Sequence, residues 1–176
     1  MKFQGHVQKL GDSVDTDVMV PGRYLSLMNP ADIAKHIFEE VDPGFVERVQ
    51  PGDVIVAGRN FGSGSGREQA PFGLKALGIS CIVAASFSRT FYRMSIDLGL
   101  PIMISPEVAA AASQGQSIEV DTVSGRVLLD GREYRAEPLP VFIQQIIDMG
   151  GVTDWVKQEL ARRAAPKQAE SPGSAA

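Results

Sequence analysis

The stretch Gly58 to Glu68, GRNFGSGSGRE, places four glycines, two serines and two arginines between an apolar run and an amphipathic one. Glycine tolerates positive φ and lets the backbone approach a ligand closely, and the amides that open a helix attract anions. Such a loop suits a phosphate or a carboxylate, with Gly64 and Gly66 leaving room beside Ser65. Arg67 adds a planar guanidinium that can grip a carboxylate through two parallel hydrogen bonds. The common nucleotide fingerprints do not fit, because no GK[ST] follows and a GxGxxG reading fails at Arg67. Both polar residues have a plainer reading. Ser65 to Glu68 matches the S-x-x-E capping box. Pro71, six positions beyond such a cap, would remove a helical hydrogen bond there, and a later helix start would leave the Ser65 hydroxyl free. Arg67 could equally be a solvated arginine paired with Glu68 or another acid.

The elements that must position this loop follow from periodicity. Asp53–Ala57 (DVIVA) reads as a buried strand before it, and REQAPFGLKALG as a helix after it, ending at Gly78. A strand over Ile79–Ala85, a helix over Ser88–Leu98 and a short strand at Pro101–Ile104 come next. This alternation implies a parallel sheet with right-handed crossovers, whose strand-to-helix loops gather at one edge where ligands of open α/β sheets bind. Upstream, Phe3–Leu10 alternates loosely and reads as an edge strand. The polar GDSVDTD after it reads as a loop beside the sheet, with Asp15 and Thr16 as loop formers and Asp17 able to tie its own loop by side-chain-to-backbone bonds. Asn29 as cap and Pro30 in the first turn predict a helix over about residues 30–40, with Ile33, Ile37 and Phe38 on one face. Beyond Ser105 the pattern predicts a small helix at Val108–Ala112. Three short strands follow, turning at Ser124-Gly125 and Asp130-Gly131, and then helices at Leu139–Met149 and Val152–Arg163 are separated by Gly150-Gly151. The fold class is α/β with an antiparallel addition, one domain over residues 1–164. Residues 165–176 lack any large apolar side chain and read as a disordered tail.

Composition narrows the function classes. The 176 residues are 44% apolar and 22% charged with a net charge of -4, and no basic segment suggests nucleic acid. No apolar run reaches the roughly 18 to 20 residues that span a bilayer, and the start MKFQGHVQKL lacks the apolar core of a signal peptide, so the chain reads as cytoplasmic. The single cysteine, Cys81, lies in the apolar run GISCIVAAS and cannot by itself supply the thiolates of an iron–sulfur cluster. Any metal chemistry has to come from elsewhere.

GDSVDTDVMVPGRYL, followed by AGRNFGSGSGREQAPFGLKALGISCIVAASFSRTFYR, resembles the small subunit of 3-isopropylmalate dehydratase and its homoaconitase relatives, and through them the swivelling C-terminal domain of aconitase. The likeness is close from Phe3 to about Ile104 and extends over the remainder in length and element order. It implies a three-layer domain with a central, mostly parallel sheet and flanking helices. It also implies a two-chain hydro-lyase, in which a large partner subunit holds a [4Fe–4S] cluster and this chain, with no cofactor of its own, closes the site.

The resemblance further implies that Ser65 is the base that removes a carbon-bound proton in its alkoxide form, favoured by the loop amides and a nearby positive charge. It makes Arg67 the holder of a substrate carboxylate, and Asp17 an aspartate that pairs with a histidine of the large subunit. Two positions depart from the family pattern: Gly66 stands where serine is frequent, and Gln69 where histidine is common. After Tyr24-Leu25, homoaconitase-like chains carry an arginine that reads a third carboxylate, whereas this chain has Ser26, Leu27 and Met28. A buried third carboxylate without a partner would cost several kcal/mol. The expected substrate is therefore a dicarboxylate with an apolar substituent, isopropylmalate first, with citramalate or dimethylmalate as alternatives and homoaconitate disfavoured. The competing class is a stand-alone anion-binding protein without catalysis.

Overall fold

The computed structural model describes residues 1–164, so the expected tail at 165–176 lies outside the described residues. In chain order the elements are β1 (Lys2–Lys9), α1 (Thr16–Met19), α2 (Pro30–Ala34), α3 (Phe45–Arg48), β2 (Val54–Ala57), α4 (Gln69–Leu77), β3 (Cys81–Ala84), α5 (Arg89–Asp97) and β4 (Ile102–Ile104). They continue with α6 (Pro106–Ala111), β5 (Ser117–Asp121), β6 (Arg126–Leu129), β7 (Arg132–Arg135), α7 (Val141–Asp148) and α8 (Val152–Ala164). One seven-stranded sheet runs in the order β4-β3-β2-β1-β5-β6-β7. β1 to β4 are parallel and β5 to β7 antiparallel.

Strands β2, β3 and β4 are buried on both faces, and side-chain alternation assigns each of their buried residues to one of two cores. Ile55, Ala57, Ile82, Ala84 and Ile102 face a core with α2, α4, α5 and α7. Val54, Val56, Cys81, Val83 and Met103 face the opposite side, where α6 and the antiparallel strands close over them. A strand with both faces covered becomes a continuous apolar run, which is why DVIVA and the Cys81 segment are legible in sequence. Local chemistry sets the element ends. Asn29 accepts the Ala31 amide at 3.0 Å ahead of Pro30, and Gly78 closes α4 at φ +104. Ser88 accepts the Phe91 amide at 3.3 Å. Asp130 and Gly131, at φ +46 and +81, form the β6–β7 turn, the pair of positive φ values that a two-residue hairpin loop requires.

Two expectations about the first forty residues are corrected. β1 is an interior strand: it pairs with β2 on one side, with Val7 opposite Val54, and with β5 on the other, with Phe3 opposite Val120. Its loose alternation reports a partly exposed face and carries nothing about its edges, which chain segments far downstream occupy. The helix expected over 30–40 ends at Ala34. Phe38 takes φ +59 and its amide donates to the Met19 carbonyl at 2.9 Å, while its ring packs edge-on against Phe45 at 4.7 Å. Burial of that ring overrides helical propensity, and Ile33, Ile37 and Phe38 still reach the core together.

Candidate active site

Because β1, β2 and β3 run parallel, the loops leaving their C-terminal ends lie side by side, and the backbone pairing continues beyond the strands. The Ser13 amide reaches the Arg59 carbonyl at 2.7 Å, Gly62 reaches Val14 at 2.8 Å and Thr16 reaches Ser63 at 2.9 Å. On the other side Phe61 and Ser88 bond Ser86 and Phe61 at 3.0 and 2.9 Å. The glycine-rich loop is thus the middle of three segments that continue the sheet-like pairing, gripped between the β1–α1 and β3–α5 connections. At Gly62, φ is +76 and an added Cβ would stand 2.1 Å from Phe91 Cγ; at Gly64, φ is +84 and a Cβ would stand 2.7 Å from Asp17 Oδ2. Glycine is required at both positions by the space as well as by the backbone.

Asp17, Ser65 and Arg67 converge. The Ser65 hydroxyl donates to Asp17 Oδ1 at 2.5 Å and the Ser65 amide to Oδ2 at 3.0 Å. Arg67 Nε donates to Oδ1 at 2.6 Å. Its Nη1 reaches the Asp17 carbonyl at 3.3 Å and also bonds the Val20 carbonyl. The two hydrogen bonds from Ser65, with the charge of Arg67 behind them, hold the Asp17 carboxyl below its ordinary range. Ser65 and Gly64 are exposed, Asp17 and Gly66 half-buried. The group therefore lies on an open surface, with Arg67 rooted beneath it.

Several residues take roles other than those their local pattern suggests. Ser65 is not a helix cap: α4 begins at Gln69, with Glu68 in the cap position and no side-chain cap bond. Pro71 thereby falls in the first turn, where its missing N–H costs least. The loop amides that were expected to favour an alkoxide are committed elsewhere, Ser65 N to Asp17 and the amides of Gly66 and Arg67 both to Thr16 Oγ1 at 3.1 Å. Asp15 and Thr16 are more than loop formers. Asp15 caps α1 by accepting the Val18 amide at 2.8 Å, and Thr16 is fully buried against the loop. Gln69, where the family pattern favours histidine, donates to the Leu25 carbonyl at 3.1 Å and so ties the segment after α1 to the start of α4.

That segment carries Ser26 and Leu27. Ser26 is exposed, whereas Leu27 packs partly into the core, leaving Leu25 and Met28 as the exposed apolar side chains. A single carboxylate clamps it. Glu39 accepts Arg23 Nη2 at 2.7 Å and the Tyr24 hydroxyl at 2.9 Å and lies 2.5 Å from His36 Nδ1, and these contacts push its carboxyl down to about 2. The Tyr24 and His36 rings stack at 3.7 Å, and Arg23 also bonds Glu40. The Arg23 charge is therefore neutralised twice over.

Among the described residues no group of three or more His, Cys, Asp or Glu side chains is placed to hold a metal ion. Cys81 is buried in β3, and burial pushes its thiol up to about 12, so it does not suit a cluster ligand. No helix of the described residues is long and apolar enough to cross a membrane.

With this geometry, residues 3–107 match the aconitase C-terminal domain family. The chain belongs to that family. Its relatives within it include the 3-isopropylmalate dehydratase small subunits of Thermodesulfovibrio yellowstonii, 44% identical over 92% of this chain and 97% of the relative, and of Caldicellulosiruptor bescii, 46% identical over 93% and 100%. Small subunit 1 of Methanopyrus kandleri is 49% identical over 91% and 95%. The crystal structure of 3-isopropylmalate dehydratase from Methanocaldococcus jannaschii superimposes with a TM-score of 0.88 at 34% identity, covering 93% of this chain and 98% of that one. The α/β architecture expected from the sequence is thus the architecture of a solved family member.

Proposed function

We propose that the chain is the small subunit of a two-chain cytoplasmic hydro-lyase that interconverts 2-isopropylmalate and 3-isopropylmalate by dehydration and rehydration, in leucine biosynthesis. The observation that carries this reading is the convergence of Ser65 and Arg67 on Asp17 at an exposed loop edge, in a chain whose relatives are named for that enzyme. An active-site group on an open surface fits a site completed by a second chain, the large subunit that would hold the [4Fe–4S] cluster. That cluster supplies the Lewis-acid chemistry for the departing hydroxyl when bound.

Arg67 binds a substrate carboxylate through Nη2, since Nε and Nη1 are engaged. Ser65 removes the carbon-bound proton. A carboxylate 2.5 Å from the Ser65 oxygen holds it as a hydroxyl, and two anions at that distance repel strongly. The alkoxide therefore forms only as the Ser65 proton passes to a neutral base of the partner, the histidine expected to pair with Asp17, whose imidazolium then meets the Asp17 charge as Asp17 yields its hydrogen bond with Ser65. Ser26, with the exposed apolar side chains Leu25 and Met28, faces the substituent side of the substrate. Arg23, the arginine on that segment, is committed to Glu39 and Glu40, which argues against a third substrate carboxylate and so against homoaconitate. Citramalate and dimethylmalate remain the alternatives.

The test is Ser65→Ala in the complex reconstituted with the large subunit. Turnover of 3-isopropylmalate is expected to fall at least roughly 10²- to 10⁴-fold, the range for a missing acid–base group, with assembly intact. Near-normal turnover would remove Ser65 from the chemistry, whereas a wild-type complex without turnover would favour the non-catalytic anion-binding reading.

A further inference from the structure

Thr16 makes a saturated hydrogen-bonding junction under the loop. Its hydroxyl donates to the Ser63 carbonyl at 3.3 Å and accepts the amides of Gly66 and Arg67, each at 3.1 Å. A hydroxyl has one proton to give and two lone pairs to fill, so every capacity of this one is used. The Thr16 amide donates to the same Ser63 carbonyl at 2.9 Å, and the residue is 0% exposed. Gly66 sits at φ +74, and the backbone between Ser65 and Arg67 makes a turn whose two amides are held by a side chain from a different loop.

We infer that Thr16 is the positioning residue of this site, setting the spacing of the Ser65 hydroxyl and the Arg67 guanidinium by fixing the two amides that follow Ser65. It touches neither substrate nor reacting atoms, and acts only through the loop. The chemistry requires a hydroxyl there: a valine of the same shape would fill the pocket while leaving both amides and the Ser63 carbonyl with one partner fewer, a defect whose cost a buried site feels fully. Serine keeps the junction and gives up only a methyl group. The adjoining Asp17 then receives Ser65 in a register that Thr16 has already set.

This inference rests on the proposed roles of Ser65 and Arg67, so its test carries one readout independent of activity. Hydrogen exchange of the isolated subunit and steady-state kinetics of the reconstituted complex would be measured for wild type, Thr16→Val and Thr16→Ser. In wild type the Gly66 and Arg67 amides should be protected. Thr16→Val should speed their exchange about fivefold or more, as removal of a hydrogen bond worth about 1 kcal/mol implies, while β2 and β3 amides keep their protection. The same variant should lower kcat roughly 10²-fold, the penalty for about 1 Å of misplacement, and Thr16→Ser should restore both. Unprotected amides in wild type, unchanged exchange in the valine variant, or equal impairment by serine and valine would each overturn the inference, the last by making the methyl group the working part. If Thr16→Val does not fold, the wild-type and serine exchange patterns decide. Should Ser65→Ala prove fully active, the proposed chemistry fails, and the exchange results still decide whether Thr16 fixes the loop.

Discussion

Arg67→Lys separates the two tasks of the guanidinium. An arginine has five N–H donors in a rigid fork. Here Nε is spent on Asp17 Oδ1 at 2.6 Å, and Nη1 on the carbonyls of Asp17, at 3.3 Å, and Val20. The Nη2 donors are left for a carboxylate. A lysine ammonium is a single nitrogen on a flexible stem and cannot hold the Asp17–Val20 turn and a substrate together. The variant gives up a hydrogen bond between charged groups, about 1.5–3 kcal/mol, which at about 1.4 kcal/mol per decade is roughly a ten- to 150-fold fall in kcat/KM, expressed chiefly in KM. Steady-state assays with 3-isopropylmalate, with gel filtration to confirm assembly, measure it. A monocarboxylate analogue should show almost no difference between wild type and variant. A variant with normal assembly and a KM within about twofold of wild type, well below the predicted range, would refute the carboxylate role and leave Arg67 as a brace for α1.

Gly62→Ala should destabilise the fold by several kcal/mol, of order 3 or more, because strain at positive φ adds to an overpacked approach to Phe91, whereas Gly131→Ala, at φ +81 but with nothing within 4 Å, should cost only about 1 kcal/mol. Urea denaturation compares the two, and equal losses would mean that the backbone conformation alone sets the requirement. Asp17 is depressed below its ordinary value of 3.8, so its hold on Ser65 and Arg67 is fully present above that pH and is lost as pH falls through the lower folded value. A carboxyl ¹³C titration should place its midpoint below 3.8, and a midpoint near neutrality would contradict the observed hydrogen bonds.

Much of this protein is legible in the residues themselves. Runs such as Val54–Ala57 announce strands covered on both faces, Asp130-Gly131 announces its hairpin, and Ser65 and Arg67 stand out in a loop too rich in glycine for a packed element. Those signals are local, because periodicity and turn chemistry act over a few residues. What the tertiary structure decided is which distant segments meet. β1 became interior because β2 and β5 took its two edges, and α2 stopped at Ala34 because Phe38 found a better place in the core than on a helix. Ser65 lost its capping role because Asp17, 48 residues earlier, offered both carboxylate oxygens. Thr16, an unremarkable residue between two aspartates, became the acceptor for amides 50 and 51 residues away. No local pattern encodes such a bond, since it exists only once parallel strands have brought their exit loops side by side.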